Sequence, residues 1–324
     1  MTDAPVLVQV ERSGTVESQH RGHVVVVDQS GAVVAHLGDP DHVVYPRSAV
    51  KPLQAAGMLQ LGLDADGSSL ALAAASHSGE PFHIEGVREL LRRAGLTQSA
   101  LQCPADLPYG AAAREAFLAA GSQPTPVVMN CSGKHAAMLW TCVTNGWNPE
   151  EYLLPDHPLQ RYLRDTIASL AGAPAEPLST DGCGAPLYGL PLVGLARALQ
   201  AMPSTPAGAR VGAAMRAYPE FVGGTDRDIT HLMRGVPGLV AKDGAEAVQA
   251  MVVDVGGRRF GIGVKIEDGA QRARSVVAAA TLEALGIVTP VTVEHRRQPV
   301  LGGGRPVGWI RPSAVLDSLR VVQD

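Results

Sequence analysis

The sequence predicts an α/β (α+β) fold: one sheet of mixed strand direction built from both termini and covered by helices, with a helical lobe inserted between. Three observations predict it. Runs rich in β-branched residues cluster near both ends of the chain. The stretch from Ile84 to Leu199 carries mostly helical patterning, broken by Gly/Pro loops. Strands at both ends with helices between are most simply packed as one sheet with a helical cover. The expected layout is a single domain over residues 1–324, its α/β lobe at about 1–50 and 245–324 and its helical lobe at about 51–244.

In chain order, Val6–Val10 alternates as a strand does. His23–Asp28 and Ala32–Leu37 flank Gln29-Ser30-Gly31 and read as a hairpin. Leu53–Leu59 reads as helix, with Pro52 near its start, where a missing N–H costs least. Leu70–Ala75 is a short buried run ending in the polar loop Ser76–Pro81. Pro203–Gly208 has the composition of a surface connection. Glu246–Val255 and Arg258–Ile266, joined by Gly256-Gly257, form a second hairpin. Ala270–Leu285 suits a long helix, and Pro299–Pro312 a last short strand.

Composition narrows the function. The chain has 324 residues, 46% of them hydrophobic and only 4% aromatic, so small aliphatic side chains fill the core. A net charge of −4 and a pI near 6.2 argue against nucleic acid as a partner. No apolar run approaches the ~20 residues that cross a bilayer. Met1-Thr2-Asp3-Ala4-Pro5 has no basic region leading into an apolar run. Four scattered cysteines (Cys103, Cys131, Cys142, Cys183) do not make a disulfide scaffold. The reading is a cytoplasmic chain with reduced thiols.

Four polar, Gly-containing segments beside apolar runs are candidate chemistry. The first, Arg47-Ser48-Ala49-Val50-Lys51, puts a hydroxyl and an amine three residues apart, on one face if helical. A Ser hydroxyl needs a neighbouring base before it attacks a carbonyl, and Lys can be that base. The others are Ser76–Glu80, with Ser78; Asn130–His135, with Cys131, Lys134 and His135; and Ser179–Gly184, with Asp181 and Cys183. Each segment alone is also what a tight turn or helix cap looks like. Ser132-Gly133-Lys134 is no P-loop, since Val128 and His135 stand where Gly and Ser/Thr are required. Cys131 and Cys183 with a nitrogen donor suit tetrahedral zinc. On chemistry alone His135 is preferred to Lys134, because Lys must first lose its proton. Lys265, in the apolar run Phe260–Ile266, is either an exposed edge lysine or one buried toward the Ser-x-x-Lys segment.

Taken together and in order, Tyr45–Gln54, Ser76–Glu80, Asn130–His135, Thr180–Gly184 and the Lys265 strand resemble the Rhizobium etli-type L-asparaginases of the asparaginase II family. The resemblance spans nearly the whole chain. It implies a serine β-lactamase/glutaminase-like fold, a single catalytic domain and a homodimer. It implies two Ser-Lys pairs, Ser48 with Lys51 and Ser78 with Lys265, and zinc held by Cys131, Lys134 and Cys183. His135 and Asp181 would then lie behind the metal or on the substrate. The expected reaction is hydrolysis of L-asparagine through an acyl-enzyme on Ser48. Asp181 would meet the substrate ammonium, and Arg47, His135 or backbone N–H groups its carboxylate. For Lys51 to act as base its pKa must fall from about 10.4 towards 7, about 4 kcal/mol of differential stabilisation; Lys265 is the expected neighbouring cation.

Three rivals stand beside this. A glutaminase differs by one methylene of substrate, worth about 1–3 kcal/mol. A β-lactamase or penicillin-binding enzyme shares Ser-x-x-Lys, but Ile266-Glu267 follows Lys265 in place of Thr-Gly, and there is no Ser-Asp-Asn. A zinc-stabilised amino-acid-binding protein would keep the scaffold without turnover.

Overall fold

A computed structural model describes residues 4–321; Met1-Thr2-Asp3, part of the N-terminal segment read above, lie outside them. The strands are β1 (Val6–Arg12), β2 (Thr15–Val27), β3 (Val33–Leu37), β4 (Val43–Val44), β5 (Leu178–Thr180), β6 (Pro186–Tyr188), β7 (Leu190–Pro191), β8 (Val240–Gly244), β9 (Val248–Val255), β10 (Arg258–Ile266), β11 (Gln298–Gly302) and β12 (Arg305–Pro312). Eight of them make one sheet in the order β11-β12-β1-β2-β10-β9-β8, with β3 also paired to β2.

The sheet is thus assembled from the two ends of the chain, as expected. Its strand directions are not mixed: every ladder is antiparallel. β2 is the long member, pairing with β1 through its first half and with β10 and β3 through its second. Val24–Val27 are wholly buried on both faces, which is why that segment is a continuous apolar run rather than an alternating one. One cover is the helix Leu192–Ala201, which packs on β10, β9 and β2. It comes so close that a Cβ on Gly261 would sit 2.3 Å from the Ala196 carbonyl oxygen. The helix Gln271–Ala284 also packs on β10, β9 and β1.

The middle of the chain forms the helical lobe, including the helices Lys51–Gln60, Gly67–Ala73, Pro81–Arg93, Ser132–Thr144 and Pro158–Ala171. Three departures from the sequence reading have local causes. Pro203–Gly208 is not all connection: a helix starts at Pro206, with Pro in its first turn and the Thr205 hydroxyl accepting from the Gly208 N–H. The C-terminal end carries two strands rather than one, turned by Gly303 and Gly304 at positive φ. And β8 extends the sheet one strand beyond β9, so sheet-forming chain begins at Val240. Among the described residues no helix is long and apolar enough to cross a membrane.

Candidate active site

The Ser-x-x-Lys segment is a 3₁₀ turn, Arg47–Val50, running straight into the helix Lys51–Gln60. Arg47 has φ 52°, a left-handed conformation that a non-Gly residue adopts at a cost. It turns the chain so that Ser48 opens the helical run. The turn rests on β8: a Cβ on Gly244 would lie 2.6 Å from the Pro46 carbonyl oxygen, so the sheet admits this turn only because residue 244 is Gly.

Lys51 is 1% exposed. Its Nζ donates to the Ala75 carbonyl at 2.6 Å, to Ser76 Oγ at 3.0 Å and to Cys131 Sγ at 3.1 Å. The hydroxyl it meets in the Ser76–Glu80 loop is therefore Ser76, two residues before the expected one. Ser78 is buried with its Oγ donating to the Gly223 carbonyl at 2.9 Å.

The expected Ser78–Lys265 pair is not formed. Lys265 lies opposite His23 and Val248 in the ladders of β10 and donates from Nζ to the Glu246 carbonyl at 2.6 Å. The second buried amine beside Lys51 belongs to Lys242 on β8, which is fully buried. Lys242 Nζ donates to the carbonyl and to Oδ1 of Asp243, at 2.7 and 2.6 Å. Burial pushes the Lys242 amine down to about 8, against the Asp243 carboxylate, which raises it; Lys51 and then Arg227 add to the depression. Two signals in the sequence could have found it. Lys242-Asp243-Gly244 is close to the Lys-Thr-Gly of penicillin-recognising enzymes. And of 27 Lys plus Arg only four are Lys, at 51, 134, 242 and 265.

The third element is the thiol cluster. Cys131 precedes the helix Ser132–Thr144, whose first turn carries Lys134 and His135, all buried. Lys134 Nζ donates to Cys183 Sγ at 3.1 Å. The Cys183 thiol is pulled down by a hydrogen bond from Cys131, against burial, with Lys134 and His135 assisting. Cys131 is pushed up by the same bond and by burial. Burial opposes the Lys134 charge, but Cys183, Cys131 and Asp181 outweigh it and hold the ammonium above its ordinary value. His135 Nδ1 meets the Tyr152 hydroxyl at 2.6 Å, while its Nε2 is buried without a hydrogen-bond partner.

Asp181 and Arg47 close the cleft. Arg47 Nε donates to Asp181 Oδ1 at 2.6 Å. The cavity behind them is ≈ 20 Å³ and is lined by Arg47, Lys51, Gln54, Lys134, Asp181 and Tyr188 among others. That is room for about one water. The structure thus brings Arg47, Lys51, Lys134 and Asp181 to one cleft, with Cys131, Cys183 and His135 behind it.

As for metals, two thiols, an amine and an orphaned imidazole nitrogen suit a zinc ion chemically. Among the described residues, however, the trio of His, Cys or acidic side chains whose ligand atoms lie within 4.8 Å of one another is His23, His42 and Glu267. Beside the thiols, Cys183 Sγ lies 3.1 Å from Lys134 Nζ and 3.4 Å from Asp181 Oδ2, so an amine and a carboxylate are both donors at hand. At the other cluster the Asp39 N–H donates to His23 Nδ1 at 2.9 Å. The neutral ring therefore carries its proton on Nε2, which donates to Glu267 Oε1 at 3.0 Å. That ring is a hydrogen-bonding group, not a free ligand.

Residues 8–312 match the L-asparaginase II family, so the chain belongs to that family. No curated protein matches it. Among solved structures it is similar to Mglu in its native form, at 17% identity and a TM-score of 0.35, over 81% of this chain and 63% of that one. It thus spans about three-fifths of the Mglu chain. A Bacillus glutaminase in 4.3 M NaCl aligns at 14% identity and a TM-score of 0.35, over 76% of this chain and 83% of that one.

Proposed function

We propose that the protein hydrolyses L-asparagine to L-aspartate and ammonia, with Ser48 as nucleophile and the Lys51/Lys242 pair as proton acceptor. The observation that carries this reading is the meeting of two buried amines, one on the Ser48 helix and one on β8, beside a cleft edged by one cation and one anion. Two like charges buried together favour the loss of one proton, and Lys242 is the amine whose proton is loosened.

Substrate enters by parting Arg47 from Asp181. The substrate carboxylate takes Arg47 and its ammonium takes Asp181, so each half-buried charge keeps an opposite partner. Ser48 attacks the carboxamide carbon and its proton passes to the lysine pair, with Ser76 Oγ, on Lys51, as a relay. The C–N bond breaks and ammonia leaves carrying a proton from the pair. Water then attacks the ester on Ser48 and gives a proton to the same amines, which return it to Ser48 Oγ as the ester bond breaks and aspartate leaves.

Cys131, Lys134 and Cys183 are the residues that would hold zinc. The ion would supply positive charge to neutralise two thiolates and pin their loops at a fixed separation, in place of the shared proton and the Lys134 ammonium. The family resemblance supports a cytoplasmic homodimer as the working form, which light scattering and fractionation would check.

Side-by-side ammonia assays on asparagine and glutamine test the substrate. Turnover of asparagine is expected to exceed that of glutamine by at least about tenfold, the worth of one misplaced methylene; equal or reversed rates would overturn the assignment. Ser48→Ala is expected to lose at least about 10³-fold in kcat.

A further inference from the structure

Asp243 does not serve Lys242 alone. While Oδ1 accepts from Lys242, Oδ2 accepts from Arg227 Nη2 at 2.5 Å. Arg227 is itself fixed from two more sides. Its guanidinium lies over the Tyr109 ring, 4.6 Å from the centroid, and its Nη1 reaches toward the Ser76 carbonyl at 3.4 Å. Its backbone immediately precedes the helix Asp228–Gly235. One guanidinium therefore links the second Ser loop, the carboxylate on β8 and the helix behind them.

Asp243 is 6% exposed and Lys242 is 0%, so their electrostatics are weakly screened. Were the carboxylate bonded to Lys242 alone, the ion pair would hold the ammonium proton firmly. With one oxygen taken by Arg227, the carboxylate is already neutralised in part. We infer that Arg227 is a positioning residue for the Lys242 amine: by drawing on the shared Asp243 carboxylate it keeps Lys242 able to give up its proton. The other charged groups facing this pair do not replace it. Lys51 approaches from the Ser48 helix. Asp228 is bound by Arg274 from the helix Gln271–Ala284 at 2.7 Å. Arg274 acts on Asp243 only at longer range. The inference rests on the reading of Lys242 as a proton-accepting amine of the site.

The sequence makes the test practicable, since it has four lysines. Full-length protein labelled with ¹³C-lysine gives four side-chain signals, and Lys242→Arg assigns the one in question. In Arg227→Gln the Lys242 titration midpoint is expected to rise by at least about one pH unit, a tenfold change in its proton affinity. In Arg227→Lys, which keeps the charge, it is expected to move by less than half as much. In Asp243→Asn the midpoint is expected to fall below that of the unaltered protein, and this arm stands if Arg227→Gln does not fold. An unchanged or lowered midpoint in Arg227→Gln, or an unchanged or raised one in Asp243→Asn, would overturn the proposal. These midpoints do not depend on turnover. Failure of the underlying reading appears elsewhere, as undiminished ammonia release by Lys242→Met.

Discussion

Of the chain's four lysines, Lys51, Lys134 and Lys242 are buried and Lys265 is half-buried, while arginines supply nearly all the surface cations. Arg cannot lose its proton in a protein and Lys can, so the buried lysines are the cations able to serve as amines. With the Lys242 amine near 8, the protonated form below that pH cannot accept from Ser48. The account predicts that kcat/KM rises about tenfold per pH unit below this point and levels off above it. Lys242→Met should abolish that limb together with at least about 10²-fold in rate, as a pH series of ammonia release would show. That Lys51, Lys134 and Asp181 share one cleft with Cys131 and Cys183 beside it was legible as an expectation because each motif is local in sequence. Lys242 was passed over: its Lys-Asp-Gly only approximates the Lys-Thr-Gly motif, and its other mark, the nearby Lys51 charge, comes from another element. Lys265 drew the assignment through its apolar strand, but its amine is satisfied by the Glu246 carbonyl. Ser76 and Ser78 look alike in a loop; only the course of Lys51 chooses between them.

Among elements, the contact between β8 and the Arg47–Val50 turn matters most. A methyl group on residue 244 would meet the Pro46 carbonyl oxygen at 2.6 Å, and either the turn or the strand must yield. Gly244→Ala is expected to cost about 1–3 kcal/mol of stability and to lower kcat more than it changes KM. Thermal melts and steady-state kinetics check both; unchanged kcat would mean that β8 does not position the turn. The two hairpins turned by Gln29-Ser30-Gly31 and Gly256-Gly257 were legible because their turn chemistry is local. β8 has five residues ending in Lys-Asp-Gly, too short and too polar to declare itself. What makes it a strand is β9 alongside, a tertiary cause.

On the scale of the whole molecule, the sheet draws the two ends of the chain together, so that Ser48 follows the early strands and Lys242 arrives on a late one. The helical lobe contributes the thiol cluster between them. Within that lobe Lys51 links the Ser76 loop to the thiol cluster, since its amine touches both Ser76 and Cys131. Zinc at Cys131, Lys134 and Cys183 would therefore tie the lobe to the amines. Protein stripped by chelator is expected to melt at lower temperature, with recovery on adding zinc, and Cys131→Ala to purify with less than half the zinc of the parent. A melting point and zinc content indifferent to both treatments would remove the metal from the account.

The central claim is that the Ser48 hydroxyl attacks the amide with two buried amines behind it. The most direct measurement is peptide mapping by mass spectrometry of enzyme quenched in acid during asparagine turnover. The account predicts an aspartyl ester on the peptide that contains Ser48, absent from Ser48→Ala. An ester on the peptide containing Ser76 and Ser78, or full ammonia release by Ser48→Ala, would contradict it.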